Sequence, residues 1–334
     1  MSKIKTLSII IFCVACVLVV GITIGLQKYN NLTNPHKAFE KDLKQQDLLI
    51  QKNTQRQLDL YGQEIQEKED VDNSSLDNLD SSKNVINILL LGIDSSEKRE
   101  SKRMGYRSDT IIVSSVNLDT KEVKMLSIPR DTYTDVPGNK NKDKINHAMA
   151  FGGGPKKKGN QYAVQAVEDL LGINIHYYIT VDMDAVKSIV DTIGGVTIDV
   201  ERNMASREKV LEKGEQKLNG EQALIYLRDR NTSIGDFARI EQQQKFILTL
   251  FQQTKENGKL TDILPLYLKV QDKIFTDLKV EQIGALTYLL KDIELDNIET
   301  FILKGKGIRI DGIYYLEIDR NHMEKIIIEN FQSI

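Results

Sequence analysis

Arginines and aspartates recur along this chain in short islands. Asp94 closes the apolar run LLLGID, Arg107 and Asp109 stand together in YRSDT, and Arg130 and Asp131 in SIPRDT. Lys144, Asn146 and His147 follow in DKINHA, Arg228 and Arg230 in IYLRDR, and Asp236, Arg239 and Gln243 in GDFARIEQQQ. Guanidinium forks match phosphate oxygens two at a time. Carboxylates at strand ends suit Mg2+, a hard cation that takes oxygen ligands and bridges to substrate phosphates. A site holding both kinds of group reads as a diphosphate–metal site suited to phosphoryl transfer. Taken singly, each island has a plainer reading. Charges beside strands are commonly solvated, and an aspartate opening a helix, as Asp236 does, is commonly an N-cap. The chemistry exists only if the islands converge. Several sit where open α/β sheets bind ligands, at the ends of apolar strands.

Other chemistries find no footing. There is no G-x-S-x-G, no HExxH and no Walker pattern. GGGP at Gly152–Pro155 runs into Lys156–Lys158 rather than a G-K-[ST] ending, so it reads as a flexible surface loop. The two cysteines, Cys13 and Cys16, are too few for a disulfide framework, and the four histidines are scattered. A net charge of −3 and no reading element argue against nucleic acid as a partner.

The elements that must carry the islands are legible. Val85–Gly92, Thr110–Asn117, Glu122–Ile128, His176–Val181 and Val196–Val200 read as strands, with later ones at Glu299–Lys304 and Ile313–Ile318. Tyr162–Leu171, Met183–Ile193, Glu221–Leu227, Asp236–Gln253, Leu260–Thr276, Val280–Lys291 and Arg320–Phe331 read as helices. Alternation of the two predicts an α/β class: a mixed central sheet flanked by helices.

Ahead of them, Leu7–Leu26 is uncharged throughout and long enough to span a bilayer as a helix. It lacks an A-x-A-like site, so an uncleaved anchor fits better than a cleaved signal peptide. The lysines on either side leave its orientation open. Residues 27–83 read as a polar helical stalk ending in the linker VDNSSLDNLDSSK, with the folded domain beginning at 84. The expected organisation is therefore a tail at 1–6, an anchor at 7–26, stalk and linker at 27–83, and a domain at 84–334.

LLLGID, RSDT, SIPRDT, KINHA, IGGV, LNGEQAL-YLR-R and GDF-R---Q together resemble the LytR–CpsA–Psr family of bacterial envelope proteins, in the family's order. The resemblance implies a three-layer α/β domain outside the membrane, a cytoplasmic N-terminus and an apolar pocket for a polyprenyl tail. It implies transfer of an anionic glycopolymer (wall teichoic acid, capsule or similar) from undecaprenyl-pyrophosphate to peptidoglycan through a phosphodiester. Carried over by motif, Asp94 and Asp109 would hold Mg2+. Arg107, Arg130, Lys144, Arg228, Arg230, Arg239 and Gln243 would bind the pyrophosphate, and Asp109, Arg130 and Asp236 would act in catalysis. Asp236 also reads as a residue that only orients Arg239. Ile263–Val270 and Phe246–Phe251 are apolar runs fit to line the pocket or to pack an ordinary core. One position departs from the pattern: where many relatives have R-x-x-R-Q, this chain reads Arg239-Ile-Glu-Gln242-Gln243. Two alternatives remain on the same fold, a polyprenyl-pyrophosphate binding or regulatory protein and a lipid-pyrophosphate hydrolase.

Overall fold

The computed structural model describes residues 30–45, 84–94, 105–206, 209–229 and 236–331. The expected tail and anchor, much of the stalk, and Arg230 lie outside these residues. Among the described residues no helix is long and apolar enough to cross a membrane.

Three apolar runs form an antiparallel meander: β1 (Val85–Ile93), β2 (Ser108–Asn117) and β3 (Val123–Ser127). A two-residue hairpin follows, β4 (Tyr133–Thr134) with β5 (Asp143–Lys144). Then come α1 (Gly159–Leu171), β6 (Tyr177–Asp182) and α2 (Met183–Ile193). A satellite region holds β7 (Val196–Val200), β8 (Met204–Ser206), β9 (Lys209–Leu211) and β10 (Gly214–Leu218), closed by α3 (Gly220–Arg228). The long α4 (Asp236–Glu256) leads to α5 (Ile263–Val270), β11 (Ile274–Thr276) and α6 (Val280–Leu289). The chain closes with β12 (Ile298–Ile302), the hairpin β13 (Gly305–Ile310) and β14 (Ile313–Ile318), and α7 (Arg320–Asn330). The central sheet has the order β11-β6-β1-β2-β3-β12. It is mixed, because β6–β1 and β3–β12 run parallel and the other pairs antiparallel.

The sheet is buried on both faces, which is why β1 reads as an almost unbroken apolar run. Leu89, Leu91 and Ile93 point into a core with Ala163, Ala166 and Val167 of α1 and Met323, Ile326 and Ile327 of α7. Ile86 and Ile88 point the other way, toward Ala285 and Leu289 of α6. Helix ends follow local rules: the Asp182 side chain accepts from the Asp184 amide to open α2, and Gly194 ends it at φ 90°, a left-handed conformation that favours glycine.

Four features differ from the sequence reading. The helix expected over Leu260–Thr276 ends at Val270, and Ile274–Thr276 pairs with β6 as an edge strand, tertiary pairing overriding a short apolar pattern. β4, β5, β8, β9, β10 and β13 were not expected, being short or polar enough to show no alternation. The GGGP segment is packed rather than open: a Cβ on Gly154 would lie 2.3 Å from the Tyr106 ring. Finally, the core reaches back into the stretch read as stalk. Phe39 is fully buried, with Leu43 beside it in the same cluster as Ile86 and Tyr177.

Candidate functional site

The strands bring the islands to one end of the sheet. Asp94 follows the last residue of β1, and Ile93 pairs with Ser108 at the start of β2. A bulge between Gly92 and Ile93 leaves Asp109 in the shifted register beside it. Arg130 lies just past the end of β3, and Asp236 opens α4 at the same end of the sheet.

Arg130 is the centre of this cluster. Its Nη1 donates to Asp109 Oδ1 at 2.6 Å, and its Nε lies 3.6 Å from both Asp131 Oδ2 and Asp236 Oδ1. Only 17% of the Arg130 side chain is exposed. Burial works against its charge, but attraction to Asp109, Asp131 and Asp236 outweighs that, and the guanidinium is held more firmly protonated than usual. Lys144 Nζ sits 2.8 Å from Asp131 Oδ1, and Arg239 Nη2 sits 2.5 Å from Asp236 Oδ1. Arg239 is almost wholly buried. Three of the site's cations and three carboxylates thus form one connected network. Arg228 approaches Asp94 at 3.6 Å and remains half-exposed, so this contact is looser.

Asp236 reaches both Arg239 and Arg130, so it orients more than the single arginine foreseen for it. Gln243 is buried on α4, four residues past Arg239 and on the same side of the helix. Arg107 is half-buried just before β2 and forms no ion pair among the described residues. Arg230 lies outside the described residues.

Several contributors escaped the carried-over set. Asp131 ties Arg130 to Lys144, and its position in SIPRDT was a visible signal. His147 Nδ1 lies 2.9 Å from Asp143 Oδ2 beside that pair. Asp182, at the end of β6, is paired in register with Ile93. Burial, with Asp184 and Asp94 close by, pushes its carboxyl above the usual range. Nothing in its local sequence separates it from an ordinary N-cap. Gln242, where the family pattern has an arginine, accepts from Arg202 Nη2 at 3.2 Å, and Arg202 also pairs with Asp229. A guanidinium from the β7–β8 connection therefore stands beside the substituted position. No spacing pattern announced it.

An apolar cavity of about 440 Å³ lies between the sheet and helices α4, α5 and α6. Ile88, Leu90, Val116 and Met125 line its sheet side, and Ile247, Phe251, Leu266 and Leu286 its helical side. From the two apolar runs, Ile263, Leu266, Tyr267 and Val270 line it, as do Ile247, Leu248, Leu250 and Phe251. Phe246 itself packs on Tyr226 instead.

The sequence and fold have counterparts among known proteins. The LytR_cpsA_psr family model matches residues 33–331. The chain belongs to the LytR–CpsA–Psr family. The matched span begins close to the docked segment around Phe39, well before β1. A polyisoprenyl-teichoic acid–peptidoglycan teichoic acid transferase TagU from Halalkalibacterium halodurans is 35% identical over 248 residues, covering 74% of this chain and 78% of its own. Its namesake in Bacillus subtilis is 32% identical over 253 residues, covering 75% and 79%. Among solved structures, B. subtilis TagV superposes with a TM-score of 0.63 at 29% identity, covering 73% of this chain and 95% of its own. TagT bound to LIIa-WTA does so with a TM-score of 0.60 at 26% identity, covering 75% and 90%.

Asp94 and Asp109 supply the oxygen donors that a small hard cation would need here, with Asp109 also paired to Arg130. Asp94 and Asp109 lie on neighbouring strand ends and offer carboxylate oxygens. Among the described residues no group of three or more His, Cys, Asp or Glu is arranged to hold a metal. A two-carboxylate site suits Mg2+, which keeps waters and completes its shell with substrate phosphate.

Proposed function

We propose that this protein is a membrane-anchored phosphotransferase. It attaches an anionic glycopolymer, carried on undecaprenyl-pyrophosphate, to peptidoglycan through a phosphodiester. The observation that carries the reading is the convergence of Asp94, Asp109, Arg130, Lys144, Asp236 and Arg239 at one end of a sheet whose helix-covered face also holds an apolar cavity. Such a site suits an amphiphile with an anionic head and a long apolar tail. The names of the TagU relatives describe that class of substrate and acceptor. Leu7–Leu26 is read as the anchor, with the folded domain outside the membrane.

The chemistry follows from the charges. An acceptor sugar hydroxyl attacks the polymer-proximal phosphorus. A P–O bond to the acceptor forms, and the P–O bond to the lipid phosphate breaks. Arg107 and Arg228, the less enclosed cations, receive the diphosphate. Arg130, Lys144 and Arg239, fixed by their carboxylates, stabilise charge on the departing lipid phosphate without reorganising. We assign the hydroxyl proton to the Asp109 carboxylate. Mg2+ held by Asp94 and Asp109 would supply further neutralisation of the phosphate oxygens.

The test is reconstitution with a polyprenyl-diphosphate saccharide, a peptidoglycan oligomer and Mg2+, read by mass spectrometry. A soluble form has to retain Asn30–Gln45, because Phe39 belongs to the core. Transfer that is lost in Asp109→Ala and Arg130→Ala supports the ligase. Release of phosphosaccharide without acceptor points to a hydrolase, and binding without turnover to a regulatory protein.

A further inference from the structure

The segment just after the apolar N-terminal stretch is docked on the domain at the end of the sheet opposite the charged cluster. Phe39 packs edge-on to Tyr177 with ring centroids 5.5 Å apart, and His36 Nε2 lies 3.0 Å from Asp119 Oδ1. Asp42 accepts from the Tyr177 hydroxyl, which also accepts from Gln282 Nε2 of α6 at 2.6 Å. Leu32 presses on Gly284 so closely that a Cβ there would lie 2.3 Å from its methyl. Tyr177 opens β6 and Asp119 follows β2, so both mark the end far from Asp94.

Next to α6 stands α5, with the sequence ILPLYLKV. Ile263, Leu266, Tyr267 and Val270 face the cavity. Yet Leu268 is 47% exposed on the same helix, and Tyr288 of α6 is 43% exposed with Lys291 over its ring. Exposed with Leu268 on α5 are Pro265 and Lys269, an apolar surface edged by a long cationic side chain of the kind that reaches toward a headgroup layer. Here one side faces a cavity and the other faces outward.

We propose that the outer face of α5, with Tyr288 of α6, rests on the phospholipid bilayer, so that the cavity lies against the leaflet holding the lipid substrate. The inference rests on the membrane-anchored reading above. Leu26 precedes Asn30 by four residues, which reach at most ~14 Å even when extended. The tether is locked to α6, and α6 adjoins α5, so this part of the surface is kept within reach of the membrane. The Tyr288–Lys291 pair has the amphipathic chemistry of the headgroup region. The β13–β14 hairpin is remote from this face: it bridges to Thr132 just past β3, whereas β11, the strand that follows α5, lies at the opposite edge of the sheet beyond β6, β1 and β2.

The chain contains no tryptophan, so a single introduced indole reports alone. Full-length L268W, Y288W and Y314W would be reconstituted in phosphatidylethanolamine–phosphatidylglycerol vesicles, with and without bromine on the acyl chains. Tyr314 is 43% exposed on the β13–β14 hairpin, whose Tyr315 ring packs at a tilt against Tyr133 with Lys144 over it, so it serves as the reporter away from α5. An interfacial face sits ~5–10 Å into the headgroup–acyl boundary, so L268W and Y288W lose about half or more of their emission to bromine while Y314W keeps its own. Equal quenching at all three positions overturns the inference. So does a protein that floats with the vesicles while L268W and Y288W stay bright, or one whose α5 face is shielded by a second copy. A full-length protein that fails to float with vesicles overturns the anchored reading as well, which separates the two failures.

Discussion

Replacing Arg130 with methionine removes the cation shared by Asp109, Asp131 and Asp236 while keeping most of its length. The four side chains are 13–23% exposed, so solvent screens them weakly. Removing one partner of a buried pair costs about 3–5 kcal/mol. Here Asp131 keeps Lys144 at 2.8 Å and Asp236 keeps Arg239 at 2.5 Å, so only Asp109 loses its closest cation. That places the cost near the lower end, about 3 kcal/mol, or roughly 6–12 °C in Tm for a domain of this size. Urea and thermal unfolding of R130M, D109N and the double variant measure it. D109N removes the carboxylate charge that loses this cation in R130M, so the double variant is expected to recover at least ~1 kcal/mol relative to the sum of the singles. Transfer falls by about a hundredfold or more in R130M, because a preorganised cation at the leaving phosphate is lost. Additivity within ~0.5 kcal/mol, or an unchanged Tm, would refute the shared-cation account.

Three further outcomes follow from other parts of the molecule. Phe39→Ala should cost about 3–5 kcal/mol in urea unfolding, as for any fully buried aromatic; a loss under ~1 kcal/mol would make the docked segment a passive tether. His176 Nδ1 accepts the Asn87 amide at 2.9 Å, which only a neutral ring can do, and burial lowers its pKa below the usual 6.5. The unfolded chain therefore binds the proton first, so this contribution is full above about pH 6.5 and fades as pH falls through the lower folded value. The native urea midpoint should drop more between about pH 7.5 and about pH 5.5 than that of His176→Gln, and parallel curves would count against the assignment. Leu286→Trp, at a half-buried position lining the cavity, should raise KM for a long-chain polyprenyl substrate about tenfold, ~1.4 kcal/mol, with little change in Tm. An unchanged KM would place the tail elsewhere.

Much of this protein was legible in its residues. β1, α2, β7 and β14 announce themselves because each carries an uninterrupted local pattern that tertiary contacts reinforce. The charged islands were visible as candidate chemistry because several of them recur at the ends of apolar strands, although each one singly has a structural reading. Family membership was readable from those islands, since seven motifs in order constrain a chain far more than any one does. What the linear chain does not encode locally is convergence. Asp131 becomes a bridge only when the β4–β5 hairpin returns Lys144 to it, and Asp236 reaches Arg130 only because α4 begins above the end of β3. Arg202 and Gln242 are forty residues apart and meet only in the folded molecule. Phe39 looked like a stalk residue because burial depends on Tyr177 and α6, both more than a hundred residues away. The types of residue determined the chemistry available to this protein. The packing of distant elements decided which charges neutralise one another, where the apolar cavity lies, and which end of the sheet carries the tether, because those are properties of contacts that no local pattern contains.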